Sequence, residues 1–126
     1  MPVSWTLDPA SRRAVLTLTD PYTFQEWESA VAEILHDPAF SPPYNFLVDR
    51  RHATAPSAEF ARRMSDFFAE HAPDLGRSRA AVIVSSDVAF GVGRMAQALT
   101  EARNPAITMR IFRNDIEAER WLAEGG

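Results

Sequence analysis

An unbroken apolar run at residues 80–84, Ala-Ala-Val-Ile-Val, constrains the fold of this chain more than any other feature. A strand with one face in water alternates apolar and polar side chains, and this run does not alternate. Such a run is typical of a strand that is covered on both faces. Ser85, Ser86 and Asp87 follow it, and side chains of this kind begin helices. We therefore expect a central strand that leads directly into a helix at residues 88–102.

The remaining pattern predicts a single domain over residues 1–126 with the element order ββαβαβαβα. Strands at residues 3–7 and 13–19 are joined by a turn that is too short for a crossover, so they form an antiparallel hairpin. Helices separate the later strands, at residues 44–49, 80–84 and 107–112, and right-handed crossovers make such strands parallel. The prediction is an α/β fold in which four helices cover both faces of a mixed five-stranded sheet.

Capping patterns locate the starts of the helices. Thr23 with Glu26 matches a capping box, and Asn114 with Glu117 repeats the pattern before the last helix. Ser57 is the predicted N-cap of the second helix. Thr54 is the alternative, because a proline such as Pro56 is tolerated in the first turn of a helix.

Composition excludes several classes of function. The chain has no cysteine, so it has no disulfide framework and no thiolate zinc site. All 13 basic residues are arginine, which excludes Schiff-base lysine chemistry and the P-loop lysine. The net charge of -4 argues against nucleic-acid binding. No secretory signal pattern and no apolar run of about 20 residues is present. We therefore expect a cytoplasmic protein with no integral membrane segment, no metal and no cofactor.

Candidate ligand-binding residues lie at the predicted carboxyl ends of the parallel strands, where open α/β sheets bind ligands. These ends are residues 49–52, 85–87 and 113–115, and the helix after the central strand adds two glycines and an arginine. Exposed amide groups and guanidinium groups can hold a carboxylate or a phosphate. The alternative is ordinary capping, close packing and solvation of the same residues. The candidates are Arg50, Arg51, Ser86, Gly91, Gly93 and Arg94.

Aromatic and methionine side chains are numerous for a domain of this size: eight Phe, three Trp and four Met. Most belong to the core. A few are candidates for lining a pocket between the helices and the sheet, or a contact between subunits, with simple packing as the alternative. These residues are Phe67, Phe68, Phe90 and Met95.

No catalytic signature is present in the chain. Ser85 and Ser86 lack the Gly-x-Ser-x-Gly pattern of a hydrolase nucleophile. Asp49 ends a strand but has no neighbouring second acid that would help it to hold a magnesium ion. We therefore expect a protein that is not an enzyme.

Three segments, taken in order, resemble the SpoIIAA-like group of the STAS superfamily (sulfate transporter and anti-sigma-factor antagonist). The first is Asn-Phe-Leu-Val-Asp-Arg at residues 45–50. The second is Ala-Val-Ile-Val-Ser at 81–85, followed by Gly-Arg-Met at 93–95. The third is Ile-Phe-Arg-Asn-Asp-Ile-Glu-Ala at 111–118 with Trp-Leu at 121–122. The resemblance covers nearly the whole chain. It implies a small domain that binds partner proteins or, in the related lipid-binding fold, encloses an apolar ligand.

The phosphorylation motif of that family is incomplete here. Phospho-regulated relatives carry an Asp-Ser-Ser-Gly type motif at the start of the helix after the third strand, where residues 55–59 of this chain read Ala-Pro-Ser-Ala-Glu. Ser57 is the remaining candidate for phosphorylation, and capping already gives its hydroxyl a structural use.

Two functions follow as expectations. The first is a non-catalytic regulatory or scaffolding domain that acts through protein–protein contacts as a homodimer. The alternative is a binding module for a small apolar or amphipathic acid, a lipid-like ligand, in a pocket between helices and sheet. Arg50 or Arg94 would then hold the acid group.

Overall fold

Five strands form one sheet in the computed structural model, which describes residues 2–124. They follow one another across the sheet in chain order. β1 pairs antiparallel with β2, and all later neighbours are parallel, so the predicted mixed sheet is confirmed. The strands are β1 (Val3–Asp8), β2 (Arg13–Thr19), β3 (Asn45–His52), β4 (Ser78–Ile83) and β5 (Ile107–Phe112).

Five helices accompany the sheet in the described residues, one more than the sequence predicts. They are α1 (Phe24–His36), α2 (Ala58–Glu70), α3 (Ala72–Leu75), α4 (Asp87–Arg103) and α5 (Asp115–Glu124). The additional helix, α3, is a four-residue turn directly after α2. Pro73 fits its first turn because the missing amide would be unpaired there anyway. Gly76 closes it with a φ of 64°, a conformation that suits glycine.

The predicted caps hold the helix starts. Thr23 and Glu26 form the complete capping box of α1. Ser57 caps α2, since its hydroxyl accepts a hydrogen bond from the Phe60 amide at 3.0 Å; this decides between Ser57 and Thr54. Ser86 caps α4 in the same way.

Helices cover the two faces of the sheet unequally. Because the parallel strands follow one another in one direction, right-handed crossovers place α1, α2 and α4 on the same face. Side chains from these helices form the larger core with one set of alternate strand residues. α5 packs alone on the other face, where Ala118, Trp121 and Leu122 contact Ala81 and Ile83 of β4. β4 is therefore covered on both faces, as predicted.

Two glycines on α4 have different surroundings. A Cβ atom on Gly91 would meet no atom within 4 Å, whereas one on Gly93 would lie 3.0 Å from Cδ1 of Ile111. Gly93 therefore permits close packing of α4 on β5, and Gly91 does not serve that purpose.

This difference gives a matched pair of variants. Gly91→Ala should raise the free energy of unfolding by about 0.5–1 kcal/mol, because alanine loses less backbone entropy in a helix. Gly93→Ala has the same gain in helix propensity, but the crowding of Ile111 should leave it about 1 kcal/mol or more below Gly91→Ala. Urea unfolding of both variants measures the difference, and equal stabilisation would contradict the packing described for Gly93.

Candidate functional site

An apolar cavity of about 60 Å³ lies between the sheet and the helix layer of α1 and α2. Its walls are mostly apolar side chains from four strands and three helices, with Arg50 as the one charged residue among those that line it. A space of this volume holds about four to five water-sized groups. The apolar lining includes Leu16, Leu18, Trp27, Val31, Phe46, Val48, Phe60, Met64, Phe68, Ala80, Val82 and Met109.

A second cavity of about 40 Å³ adjoins the first, on the side of α4. Met64, Val82, Met109 and Arg50 line both cavities. Methionine side chains are flexible and adapt to irregular gaps, so Met64 and Met109 form a wall that can move. The second cavity adds room for about three water-sized groups.

Arg50 is buried beside these cavities without an acidic partner. The residue is 8% exposed. Its Nη2 donates to the Tyr22 hydroxyl and, at 3.2 Å, to the backbone oxygen of Thr54. No carboxylate of residues 2–124 lies within 4 Å of its guanidinium, and Nε and Nη1 donate to no group in that range. Nε and Nη1 are not among the fully buried atoms that lack a partner in residues 2–124, so they keep some contact with solvent. A largely buried charge without an acidic partner is still costly, and arginine cannot lose its proton to reduce the cost.

The alternation of β3 explains the burial of Arg50. Phe46, Val48 and Arg50 follow one another at every second position, and all three line the cavity. The predicted end of this strand at residue 49 was wrong, because β3 continues to His52, which pairs with Thr19 across a shift in register. Arg50 therefore lies inside the strand and faces the helices, not the loop beyond the sheet.

Arg51 points to the opposite face and is paired there. Its Nη2 and Nε donate to the carboxylate of Asp49 at 2.8 and 3.0 Å, and its backbone amide also donates to Oδ1 of Asp49. The hydrogen bond from the Arg51 side chain holds the pKa of Asp49 below its ordinary value of 3.8. The same bond raises the pKa of Arg51. Arg51 is thus neutralised within the protein.

The other polar residues at the carboxyl ends of the strands also bind one another. The Ser85 hydroxyl donates to the backbone oxygen of Arg51 at 3.0 Å, which joins the ends of β3 and β4. Asp87 forms an ion pair with Arg113 at the end of β5. The three predicted strand ends therefore lie together, and their charged side chains form the ion pairs Arg51–Asp49 and Arg113–Asp87.

Of the remaining candidates, Gly93 lines the second cavity together with Arg50. Ser86 caps α4, and Gly91 and Arg94 are exposed on that helix. Ser57 is exposed at the start of α2, where its hydroxyl accepts from the backbone.

Among the four aromatic and methionine candidates, Phe68 lines the cavity and the others do not. Phe67 is buried and stacks on His71 with ring centroids 4.0 Å apart. Phe90 lies under the Arg113 guanidinium at 5.0 Å, and Met95 is half-buried on α4. The lining residues that this set lacked, Phe60 and Met64, precede Phe68 at intervals of four. A spacing of four residues places side chains on one face of a helix, and this is the sequence signal that identifies Phe60 and Met64.

Comparison of the chain with models of known protein families, with curated proteins and with solved structures finds no match. The resemblance to the SpoIIAA-like group therefore stays a prediction. In the described part of the chain, no helix has the length and apolar character needed to cross a membrane. Residues 2–124 also hold no group of three His, Cys, Asp or Glu side chains arranged for a metal ion.

The Asp49–Arg51 pair predicts a specific dependence of stability on pH. Since folding lowers the pKa of Asp49, the pair stabilises the protein above pH 3.8 and loses this effect as the pH falls through the folded pKa. Asp49→Asn should lower the free energy of unfolding near neutral pH by about 0.5–1 kcal/mol, because Arg51 is partly exposed and solvent weakens the pair. Urea unfolding of both proteins across the acid range should show their free energies of unfolding becoming equal below the folded pKa of Asp49.

The control for this measurement is Asp74→Asn, which removes an exposed carboxylate that is not part of an ion pair in residues 2–124. A constant difference between the Asp49→Asn variant and the original protein at all pH values would contradict the electrostatic role of Asp49.

Proposed function

We propose that this protein is a binding module for a small amphipathic carboxylic acid, with the carboxylate on Arg50 and the tail in the apolar cavity. The observation that carries the proposal is the buried Arg50 guanidinium, which lacks an acidic partner within residues 2–124 and lines a space with apolar walls. A ligand carboxylate would supply the missing charge. No catalytic step is part of the proposal.

The hydrogen-bond arrangement of Arg50 suits a carboxylate. Tyr22 and Thr54 both accept from Nη2, so they hold the guanidinium in place and leave Nε and Nη1 for a ligand. Nε and Nη1 lie on different edges of the guanidinium, so a ligand carboxylate would accept one charge-assisted hydrogen bond from either of them. In a site that is sheltered from water, such a charge-assisted hydrogen bond is stronger than it is at the surface.

The cavity sets the length of the tail. The first cavity takes about four to five methylene-sized groups, and displacement of Met64 or Met109 opens room for about three more. The supported ligand is therefore an acid with a short to medium hydrocarbon tail. A long-chain lipid would require the helices to move away from the sheet.

A series of straight-chain carboxylic acids tests this size limit by isothermal titration calorimetry. Each buried methylene contributes about 0.8 kcal/mol, so Kd should fall about fourfold per added carbon until the space is full. The gain should end at a tail of about four to eight carbons. An affinity that is independent of tail length, or that keeps rising to long-chain acids, would contradict binding in this cavity.

Arg50→Met tests the role of the charge. Methionine fills a similar volume without a cation, so the variant should lose most of its affinity for the acid and bind the alcohol with the same tail instead. Without ligand, its free energy of unfolding should be unchanged or higher, because a buried unpaired charge has been removed. Calorimetry and urea unfolding give the two readouts.

Arg94→Met is the matched control, because it removes an exposed arginine with the same change in net charge. It should bind the acid as the original protein does. Two results would overturn the proposal: equal loss of affinity in both variants, or a large loss of stability in Arg50→Met with acid binding retained, which would make Arg50 a structural bridge to Tyr22 and Thr54.

A regulatory or scaffolding role through protein contacts, as a homodimer, is the second candidate. Val88 and Ile116 are large apolar residues that are 68% and 67% exposed. Each lies close in sequence to the Asp87–Arg113 ion pair, which brings the starts of α4 and α5 together. Light scattering should give twice the monomer mass of 14.1 kDa, and Val88→Glu with Ile116→Glu should restore the monomer. A monomeric original protein at high concentration would exclude the dimer.

A further inference from the structure

A second concave site lies at the amino ends of the parallel strands. This is the end of the sheet opposite to Arg50, which lies near the carboxyl end of β3. The site is a cleft of about 430 Å³, lined by polar groups from the starts of β2, β3, β4 and β5. Three arginines line it: Arg12, Arg77 and Arg79. We call it the arginine cleft.

The arginine cleft concentrates positive charge in an acidic protein. No carboxylate is among the residues that line the cleft, and none in residues 2–124 lies within 4 Å of its three guanidinium groups. The net charge of the chain is -4, so the charge of the cleft is opposite in sign to that of the whole protein. A concave surface with charge of one sign raises the local concentration of ions of the other sign.

Two of the three arginines are held in position by the protein. Nη1 of Arg79 donates to the backbone oxygen of Trp121 at 2.9 Å, and its guanidinium lies 4.8 Å from the centre of the Trp121 ring. Nη1 of Arg12 donates to the backbone oxygen of Ser41 at 3.0 Å. In both cases the bond uses one nitrogen of the guanidinium. Neither Trp121 nor Ser41 lines the cleft, so these two side chains are anchored outside it, whereas Arg77 is exposed and without such an anchor in residues 2–124.

Neutral donors complete the lining. Oδ1 of Asn45 accepts from the Arg79 amide at 2.9 Å, which fixes the side-chain amide so that its nitrogen is the free group. Ser78 is 7% exposed, and its hydroxyl has no hydrogen-bond partner within residues 2–124. Ser78 lines both the apolar cavity and the arginine cleft. Its side chain shares a strand face with Ala80 and Val82, which line the apolar cavity, so the hydroxyl lies on the side of that cavity.

We propose that the arginine cleft binds the phosphoryl groups of a phosphorylated ligand. Three guanidinium groups match a dianionic phosphate or a diphosphate better than a single carboxylate, and their planar donors fit pairs of phosphoryl oxygens. The volume exceeds that of one phosphate, so it leaves room for an organic group. The ligand chemistry is that of a phosphoryl group, carried either by a soluble metabolite or by the headgroup of a lipid.

Titration of inorganic pyrophosphate into isotope-labelled protein, followed by NMR at low and at high salt, tests the proposal. The amide signals around Asn45 and Ser78 and the side-chain signals of the arginines in the cleft should shift, and added salt should weaken binding. Sedimentation with phosphatidylcholine vesicles, with and without phosphatidate, is the second arm. Binding to pyrophosphate assigns a soluble ligand, and binding to phosphatidate vesicles alone assigns a lipid headgroup.

Arg77→Gln and Arg12→Gln are suitable variants, because both side chains are exposed and neither should be needed for folding. Each should weaken binding about tenfold, the effect of losing one charge-assisted hydrogen bond. Arg62→Gln is the matched control, an exposed arginine on α2 outside the cleft, and it should bind as the original protein does.

The proposal is overturned if neither pyrophosphate nor phosphatidate binds, if the shifted signals lie elsewhere, or if Arg62→Gln weakens binding as much as Arg77→Gln. It is also independent of the acid site. Arg50→Met should leave pyrophosphate binding unchanged. If one of the two proposed sites does not bind its ligand, the test of the other site is therefore unaffected.

Discussion

Every parallel crossover in this sheet turns in the same direction, and this regularity determines on which face the apolar cavity lies. Since the strands follow one another in chain order, right-handed crossovers bring α1, α2 and α4 to one face and leave α5 alone on the other. The crowded face must fill the space between three helices and a twisted sheet. Its filling is incomplete beside Met64, and the apolar cavity results. On the other face, the small apolar cluster under α5 lines neither of the two apolar cavities described above.

Arg50 is the clearest conflict between local chemistry and the fold. The alternation of β3 directs its side chain into the helix-covered face, where Tyr22 and Thr54 satisfy only Nη2. Well-packed apolar residues often replace buried charges without loss of stability. A charge that the protein itself leaves unpaired is therefore more readily explained by a ligand than by folding. This reasoning favours the acid-binding function over a purely structural role.

Much of the fold could be predicted because its signals are local. The run at residues 80–84 gave the central strand, and the Thr23–Glu26 box gave the start of α1. The end of β3 was missed, since the charged sequence at residues 50–52 looks like a loop and only pairing with β2 extends the strand. Phe67 and Phe68 are adjacent in sequence, but the helical period places only the side chain of Phe68 in the lining of the cavity. The arginine cleft combines residues 12, 77 and 79, which come together only through the order of the strands.

Both proposed sites depend on arginine in a chain that has no lysine. The reason matters most for the buried site. Desolvation lowers the pKa of a buried lysine and can leave it neutral, in which case it would no longer attract an acid. A guanidinium keeps its charge in the same surroundings, and it offers separate donors to the protein and to a ligand. At Arg50 one nitrogen anchors the side chain and the others stay available. Under the proposed function, a permanent buried cation of this kind would select an anion by its charge, and the apolar wall would select the tail by its shape.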